Sequence, residues 1–120
     1  MDQPIVLVVD DERANVELCK AALQLEGYEV VTALGTKEAV EVISSREVDV
    51  IVCDVQMPHN GKRVYEYLLA KYPELAGRFI FVTGNPAKKQ ELAEQGHTGP
   101  CLMKPYAIQS LLSAMRVALG

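Results

Sequence analysis

Apolar and polar positions along the chain fall into two alternating patterns. Residues 4–9, PIVLVV, form a short continuous apolar run rich in β-branched side chains, which reads as a strand covered on both faces. Residues 12–26 place Val16, Cys19, Ala22, Leu23 and Leu25 between charges at helical spacing, and Gly27 follows as a stop. YEVVTA reads as a second strand. Thr36 is expected to cap a helix whose inner side is Ala39, Val42 and Ile43. VDVIVC is a third strand. Residues 62–72 put Val64, Tyr65, Leu68, Leu69 and Tyr72 on one helical side, with Pro73 after them. RFIFVT is a fourth strand, and Asn85-Pro86 is a cap and first-turn pair for a helix running to about Gln95. CLM is a short fifth strand. Ile108, Leu111, Leu112, Met115 and Leu119 mark a final amphipathic helix.

Five successive strand–helix units imply an α/β domain with a parallel sheet and helices on both faces. Strands that run apolar without alternation agree with a sheet covered on both sides. A length of 120 residues suits one domain spanning 1–120, and an apolar share of 49% is enough to fill its core. In such sheets ligands bind beyond the carboxyl ends of the strands, so the residue leaving each strand is the one to inspect.

The first strand is followed by Asp10, Asp11 and Glu12, and the third by Asp54. The fourth ends in Thr83-Gly84 and the fifth in Lys104-Pro105. Parallel geometry brings these groups to one edge. Carboxylates gathered there repel one another, and a divalent cation relieves the repulsion. Oxygen-only ligands at an open, wet edge favour Mg2+. Asp11 and Asp54 are the natural direct ligands, Asp10 acts directly or through water, and the backbone carbonyl of Gln56 could complete the protein's share.

A metal, a lysine and a hydroxyl around one carboxylate suit phosphoryl transfer, which needs in-line positioning and charge stabilisation. Asp54 would be the nucleophile, and Lys104, Thr83 and a nearby backbone N–H would cover phosphoryl oxygens. Each piece has a blander reading. Asp10-Asp11 could cap the following helix, and Lys104-Pro105 could be a turn with a solvated lysine. Asp54 resists such a reading, because an unpaired charge at the end of a buried strand is costly. The conjunction at four strand ends is what favours the chemistry.

Other features narrow the picture. A net charge of −4 argues against nucleic-acid binding by this domain. No apolar run approaches the length needed to cross a bilayer, and the N-terminal MDQPIVLVVDDE lacks the basic start of a secretory signal. Cys19, Cys53 and Cys101 have no metal-like spacing and read as reduced, mostly buried thiols of a cytoplasmic protein. His59 and His97 fall in turn-like polar segments and read as surface residues; neither looks like a phosphodonor.

The ordered set VLVVDDE, DVQMPHNG, FVTG and LMKPY resembles the receiver domain of two-component response regulators over essentially the whole chain. The resemblance implies a flavodoxin-like, doubly wound sheet of strand order 2-1-3-4-5. It implies Asp54 as phosphoacceptor, Asp10 and Asp11 as the acidic pair for Mg2+, and Thr83 and Lys104 as the switch hydroxyl and lysine. It also suggests a cis peptide between Lys104 and Pro105. Three departures stand out. Only His59 and Asn60 separate Pro58 from Gly61, one residue fewer than usual, so the loop should be tighter, with an altered metal geometry or phosphoryl lifetime expected from it. Cys101 stands where the family commonly has an inward-turning Tyr or Phe, and Tyr106 stands where Phe is common. Pro100 just before the fifth strand fits an edge strand.

As the resemblance implies, the partners would be a histidine kinase or histidine phosphotransfer domain, docking on the first helix and the loops around the acids, and a downstream output protein or domain. Such a domain is no conventional enzyme by itself, although it would catalyse its own phosphorylation and dephosphorylation. With no output domain after the last helix, it would be stand-alone or excised from a response regulator or hybrid sensor kinase. A degenerate receiver acting only as an interaction module is the alternative, with the shortened loop and Cys101 as its traces. An aspartyl phosphatase would want a second acid where Gln56 stands. A nucleotide-binding domain would want a glycine-rich loop where the chain reads DDERAN.

Overall fold

The computed structural model describes residues 3–55, 62–95 and 99–120. In chain order the elements are β1 Ile5–Val9, α1 Arg13–Leu25, β2 Glu29–Ala33, α2 Thr36–Ser45, β3 Val50–Asp54, α3 Lys62–Lys71, α4 Pro73–Ala76, β4 Phe79–Thr83, α5 Pro86–Glu94, β5 Cys101–Met103 and α6 Ile108–Leu119. The strands form one sheet of order β2-β1-β3-β4-β5, and every paired neighbour is parallel. This is the doubly wound α/β architecture expected from the alternation of strands and helices.

Successive residues of a strand face opposite sides, so each central strand feeds two cores. Leu7, Val9, Ile51, Cys53, Phe79 and Phe81 point to the side covered by α2, α3 and α5, where Ile43, Leu68 and Leu92 meet them. Val6, Val8, Val50, Val52, Ile80 and Val82 point to the other side, against Cys19 and Leu23 of α1 and Leu111 and Met115 of α6. Tyr65 stands edge-on to Phe79, ring centroids 5.3 Å apart, and 5.1 Å from Phe81. Such aromatic contacts add to simple burial.

Local sequence explains where most elements stop. Gly27 adopts φ +92°, a conformation that costs a residue with a Cβ. Around it Tyr28 N–H donates to the Leu23 carbonyl and Gly27 N–H to that of Gln24, which closes α1 in a Schellman turn. Asn85 caps α5 as expected, its side chain accepting from Ala87 N–H.

Four details differ from the sequence expectations. Thr36 is the first residue of α2 rather than its cap; extended Gly35 takes that place, and Glu38 reaches back to accept from Leu34 N–H. Asp54 belongs to β3 itself. Pro73 opens α4, a further short turn of helix, instead of only ending α3. Leu25, counted with Val16, Cys19, Ala22 and Leu23 among the apolar positions that mark α1, is 87% exposed.

Candidate functional site

The carboxyl ends of β1, β3, β4 and β5 lie side by side in the sheet, and each delivers one polar group. Asp10 leaves β1 with its backbone N–H donating to the Ala33 carbonyl of β2. Asp54 closes β3, and Thr83 closes β4. Lys104 follows β5, its backbone N–H donating to the Thr83 carbonyl at 2.8 Å, and the Lys104–Pro105 peptide is cis. Asp10, Asp54 and Thr83 are buried although polar.

Lys104 ties this edge together. Its ammonium donates to Asp54 Oδ2 at 2.7 Å and to Asp10 Oδ2 at 3.1 Å. Burial works against the charged ammonium, but the hydrogen bonds and negative charges of Asp54 and Asp10 outweigh it and hold Lys104 above the ordinary lysine range. The other oxygen of Asp10, Oδ1, accepts from Glu12 N–H at 2.9 Å, which fixes the carboxylate against the turn into α1. The capping role weighed for Asp10 is not seen: Glu12 is the N-cap of α1 and no side chain caps that helix, so the Asp10 carboxylate only braces the turn leading into it.

Asp11 is exposed, yet carboxylate oxygens of Asp10, Asp11 and Asp54 all lie within 4.8 Å of one another. Three hard oxygen donors at that separation fit a hard divalent cation, and Asp11's exposure leaves room for coordinated water. Thr83 Oγ accepts from Asn85 N–H at 3.1 Å, an arrangement that leaves its own proton to donate. Gln56, proposed from sequence to offer a carbonyl, lies outside the described residues, as do Pro58, His59, Asn60, Gly61 and His97.

The structure also gathers residues whose place here the sequence did not suggest. Cys19 and Tyr106 form, with Asn15, the wall between the acids and the outer surface of α1. Burial pushes the Cys19 thiol up to about 11, while the neighbouring Tyr106 hydroxyl pulls the other way. Burial also raises Tyr106 and Cys53. Outside this wall an apolar groove of about 400 Å³ runs between α1 and α6, lined by Leu18, Pro105 and Ile108 among others. Only the 3.6-residue period of α1, read together with the α/β topology, would have brought Cys19 near position 106.

A model of the response regulator receiver domain matches residues 6–116. The chain belongs to that family. Response regulator MprA of Mycolicibacterium vanbaalenii is 33% identical over 116 residues, covering 95% of this chain and 49% of that protein. Response regulator SaeR of Staphylococcus aureus is 37% identical over 87 residues, covering 72% of this chain and 36% of that protein. The chain therefore spans about half the length, or less, of these curated relatives.

Among solved structures, this receiver domain is similar to response regulator TrrA of Thermotoga maritima in complex with Mg2+-BeF. The TM-score is 0.87 at 28% identity, over 98% of this chain and all of that one. It is also similar to chemotaxis response regulator CheY4 of Vibrio cholerae, with TM-score 0.84 and 31% identity, over 98% of this chain and 99% of that one. The strand order β2-β1-β3-β4-β5 is that of the flavodoxin-like receiver fold. Among the described residues no helix is long and apolar enough to cross a membrane. Cys101 of β5, paired with Phe81 of β4, is partly buried against the core.

Proposed function

We propose that this receiver accepts a phosphoryl group on Asp54 from a phosphohistidine of a histidine kinase or phosphotransfer domain. The observation that supports this most is the double engagement of Lys104 with Asp54 and Asp10 at an edge where a third carboxylate stands close by. An oxygen of Asp54 attacks phosphorus as the P–N bond to imidazole breaks. The nitrogen leaves with the electron pair and takes up a proton, and the product is an acyl phosphate. β3 holds the Asp54 carboxylate in place for attack, and Lys104 balances charge on the phosphoryl oxygens. Asp10, Asp11 and Asp54, with Gln56, would hold Mg2+, which when bound supplies further charge neutralisation at those oxygens.

The donor's helices would seat on α1 and the loops around the acids, where the apolar groove opens beside Lys104. Phosphorylation adds roughly −1.5 to −2 charge and strong acceptors. Thr83 and Lys104 answer it by moving inward, and because both lie at the ends of β4 and β5, the face made by α5, β5 and α6 changes toward an output partner. With Cys101 in place of an aromatic, that change runs through Thr83 and backbone shifts. Membership of the family points to a cytoplasmic domain of a two-component system.

Incubation with acetyl phosphate and Mg2+, followed by intact-mass measurement, tests the reading. One phosphoryl mass is gained by the wild type and lost in Asp54→Asn. No gain with any donor would leave an interaction module instead. Beryllofluoride with Mg2+ should shift the amide resonances of residues around 83 and 104, and unchanged resonances would remove the switch.

A further inference from the structure

The wall between the acids and helix α1 contains two polar atoms that satisfy each other. Cys19 belongs to the inner stripe of α1 with Val16 and Leu23, and Tyr106 packs against the same apolar cluster. The Tyr106 hydroxyl and the Cys19 thiol share a hydrogen bond, and Cys19 is only 4% exposed, so the bond lies in the interior. Together with Asn15, Asp10 and Asp54, these two side chains line a cleft of about 10 Å³ closed by valines of β1, β3 and β4. A space of that size holds one water at most. The charges of Asp10 and Asp54 reach the same hydroxyl.

A hydroxyl in such a place must find an acceptor. An aliphatic side chain at position 19 would pack as well as the thiol but would offer none. The polar groups then left around the cleft are the Asn15 amide and the two carboxylates, and a carboxylate is the stronger acceptor. We propose that Cys19 is a positioning residue for phosphoryl acceptance: by engaging the Tyr106 hydroxyl, it keeps that hydroxyl off Asp54 and Asp10.

The carboxylates are thereby left to Lys104, whose ammonium lies 2.7 Å from Asp54 Oδ2 and 3.1 Å from Asp10 Oδ2. A hydroxyl donating to Asp54 would occupy an oxygen lone pair and turn the carboxylate from the line of attack on phosphorus. The backbone does not prevent this by itself. Neither Pro105 nor Tyr106 makes a backbone–backbone hydrogen bond among the described residues, so what the ring and its oxygen touch decides where the hydroxyl sits. The inference rests on the phosphoacceptor reading of Asp54 and adds to it a residue that never meets the phosphoryl group.

The test follows phosphorylation of the full chain by acetyl phosphate and Mg2+ over time, read by intact mass. Cys19→Val should slow it about tenfold, and Cys19→Ala, a second way to remove the sulfur, should slow it similarly. Circular dichroism checks that each variant is folded. In a Tyr106→Phe background there is no hydroxyl to restrain, so adding Cys19→Val there should change the rate by no more than about twofold. A thiol that only fills space would be missed equally in both backgrounds. Without metal or donor, the Lys104 side-chain nitrogen resonance should move in Cys19→Val and should not move when the same change is made in Tyr106→Phe. An unchanged rate in Cys19→Val and Cys19→Ala, or an equal loss in both backgrounds, would overturn the proposal. If the wild type gains no phosphoryl mass from any donor, the phosphoacceptor reading falls, and the Lys104 resonance decides alone: one that Cys19→Val leaves in place, or moves equally in both backgrounds, overturns the positioning.

Discussion

The Lys104 ammonium lies 2.7 Å from Asp54 Oδ2, joining two residues fifty positions apart in the chain. It also holds Asp54 and Asp10 together, two carboxylates that are buried and would otherwise repel. Removing the ammonium should therefore be felt as lost stability before it is felt as lost chemistry. In the absence of divalent cations, Lys104→Met should lower unfolding free energy by about 1–3 kcal/mol, since it leaves buried charges without their counter-ion. Urea titration measures this. Adding Mg2+ should narrow the gap, because the variant presents the same acids to the cation without a competing ammonium.

Asp11 separates metal binding from folding. It is exposed, and its side chain takes part in no hydrogen bond or ion pair among the described residues. Asp11→Asn should change stability without metal by no more than about 0.5 kcal/mol. It should also abolish most of the rise in melting temperature that millimolar Mg2+ confers on the wild type, since that rise follows the cation's affinity. Thermal melts of both proteins with EDTA and with Mg2+ decide the matter. An undiminished rise in the variant would take Asp11 out of the ligand set.

Much of this was readable from the residues alone, for physical reasons. The doubly covered strands announce themselves because neither face of β1, β3 or β4 tolerates a polar residue until the strand ends. That makes Asp10, Asp54 and Thr83 conspicuous, and parallel topology brings them to the same edge as Lys104. The helices were harder to read in detail. Leu25 matches the apolar period of α1 yet belongs to its outer stripe, and a helix with two apolar sides does not say which faces the core. Gly35 takes the cap position expected for Thr36, and Glu38, in the first turn of the helix, satisfies the Leu34 N–H from the other direction. Pro73 ends one helix and opens the next, and proline allows both. The proximity of Cys19 to Tyr106 needs the α/β topology as well as the period of α1, because it depends on how α1 meets the segment between β5 and α6.

Stability should fall on the alkaline side. Cys19, Cys53, Tyr106 and Lys104 are all raised in the folded protein, the first to about 11 from 9.0. A raised group binds its proton more tightly when folded. Its contribution is complete below the unfolded value and is lost as pH rises through the folded one. For Cys19 that window runs from about 9 to about 11 and amounts to roughly 2–3 kcal/mol. Melting temperature should hold steady near pH 8 and decline from about pH 9 upward, and Cys19→Ala should flatten the first part of the decline.

The three thiols should react in order of burial. Cys101 is partly exposed, and Cys19 and Cys53 are buried. A thiol reagent applied to the native protein should label Cys101 first, and slowly, because burial raises its pKa too. Cys19 and Cys53 should label only when the domain opens, so their rates track urea concentration while that of Cys101 does not. Peptide mapping after timed labelling reads all three.

Two glycines beside helix ends look alike in sequence and should respond differently to alanine. Gly27 sits at φ +92°, in the left-handed region, and a Cβ there would meet nothing within 4 Å. Any cost is therefore backbone strain alone, about 1–2 kcal/mol. Gly35 has φ −173° and ψ 175°, ordinary extended backbone, and its Cβ would also point into open space. Gly35→Ala should stay within about 0.5 kcal/mol of wild type, because the smaller entropy of the unfolded chain offsets the poorer cap. Chemical denaturation of the two variants should rank them clearly, with Gly27→Ala the less stable. Equal stabilities would mean that the Schellman turn after α1 relaxes to accept a Cβ.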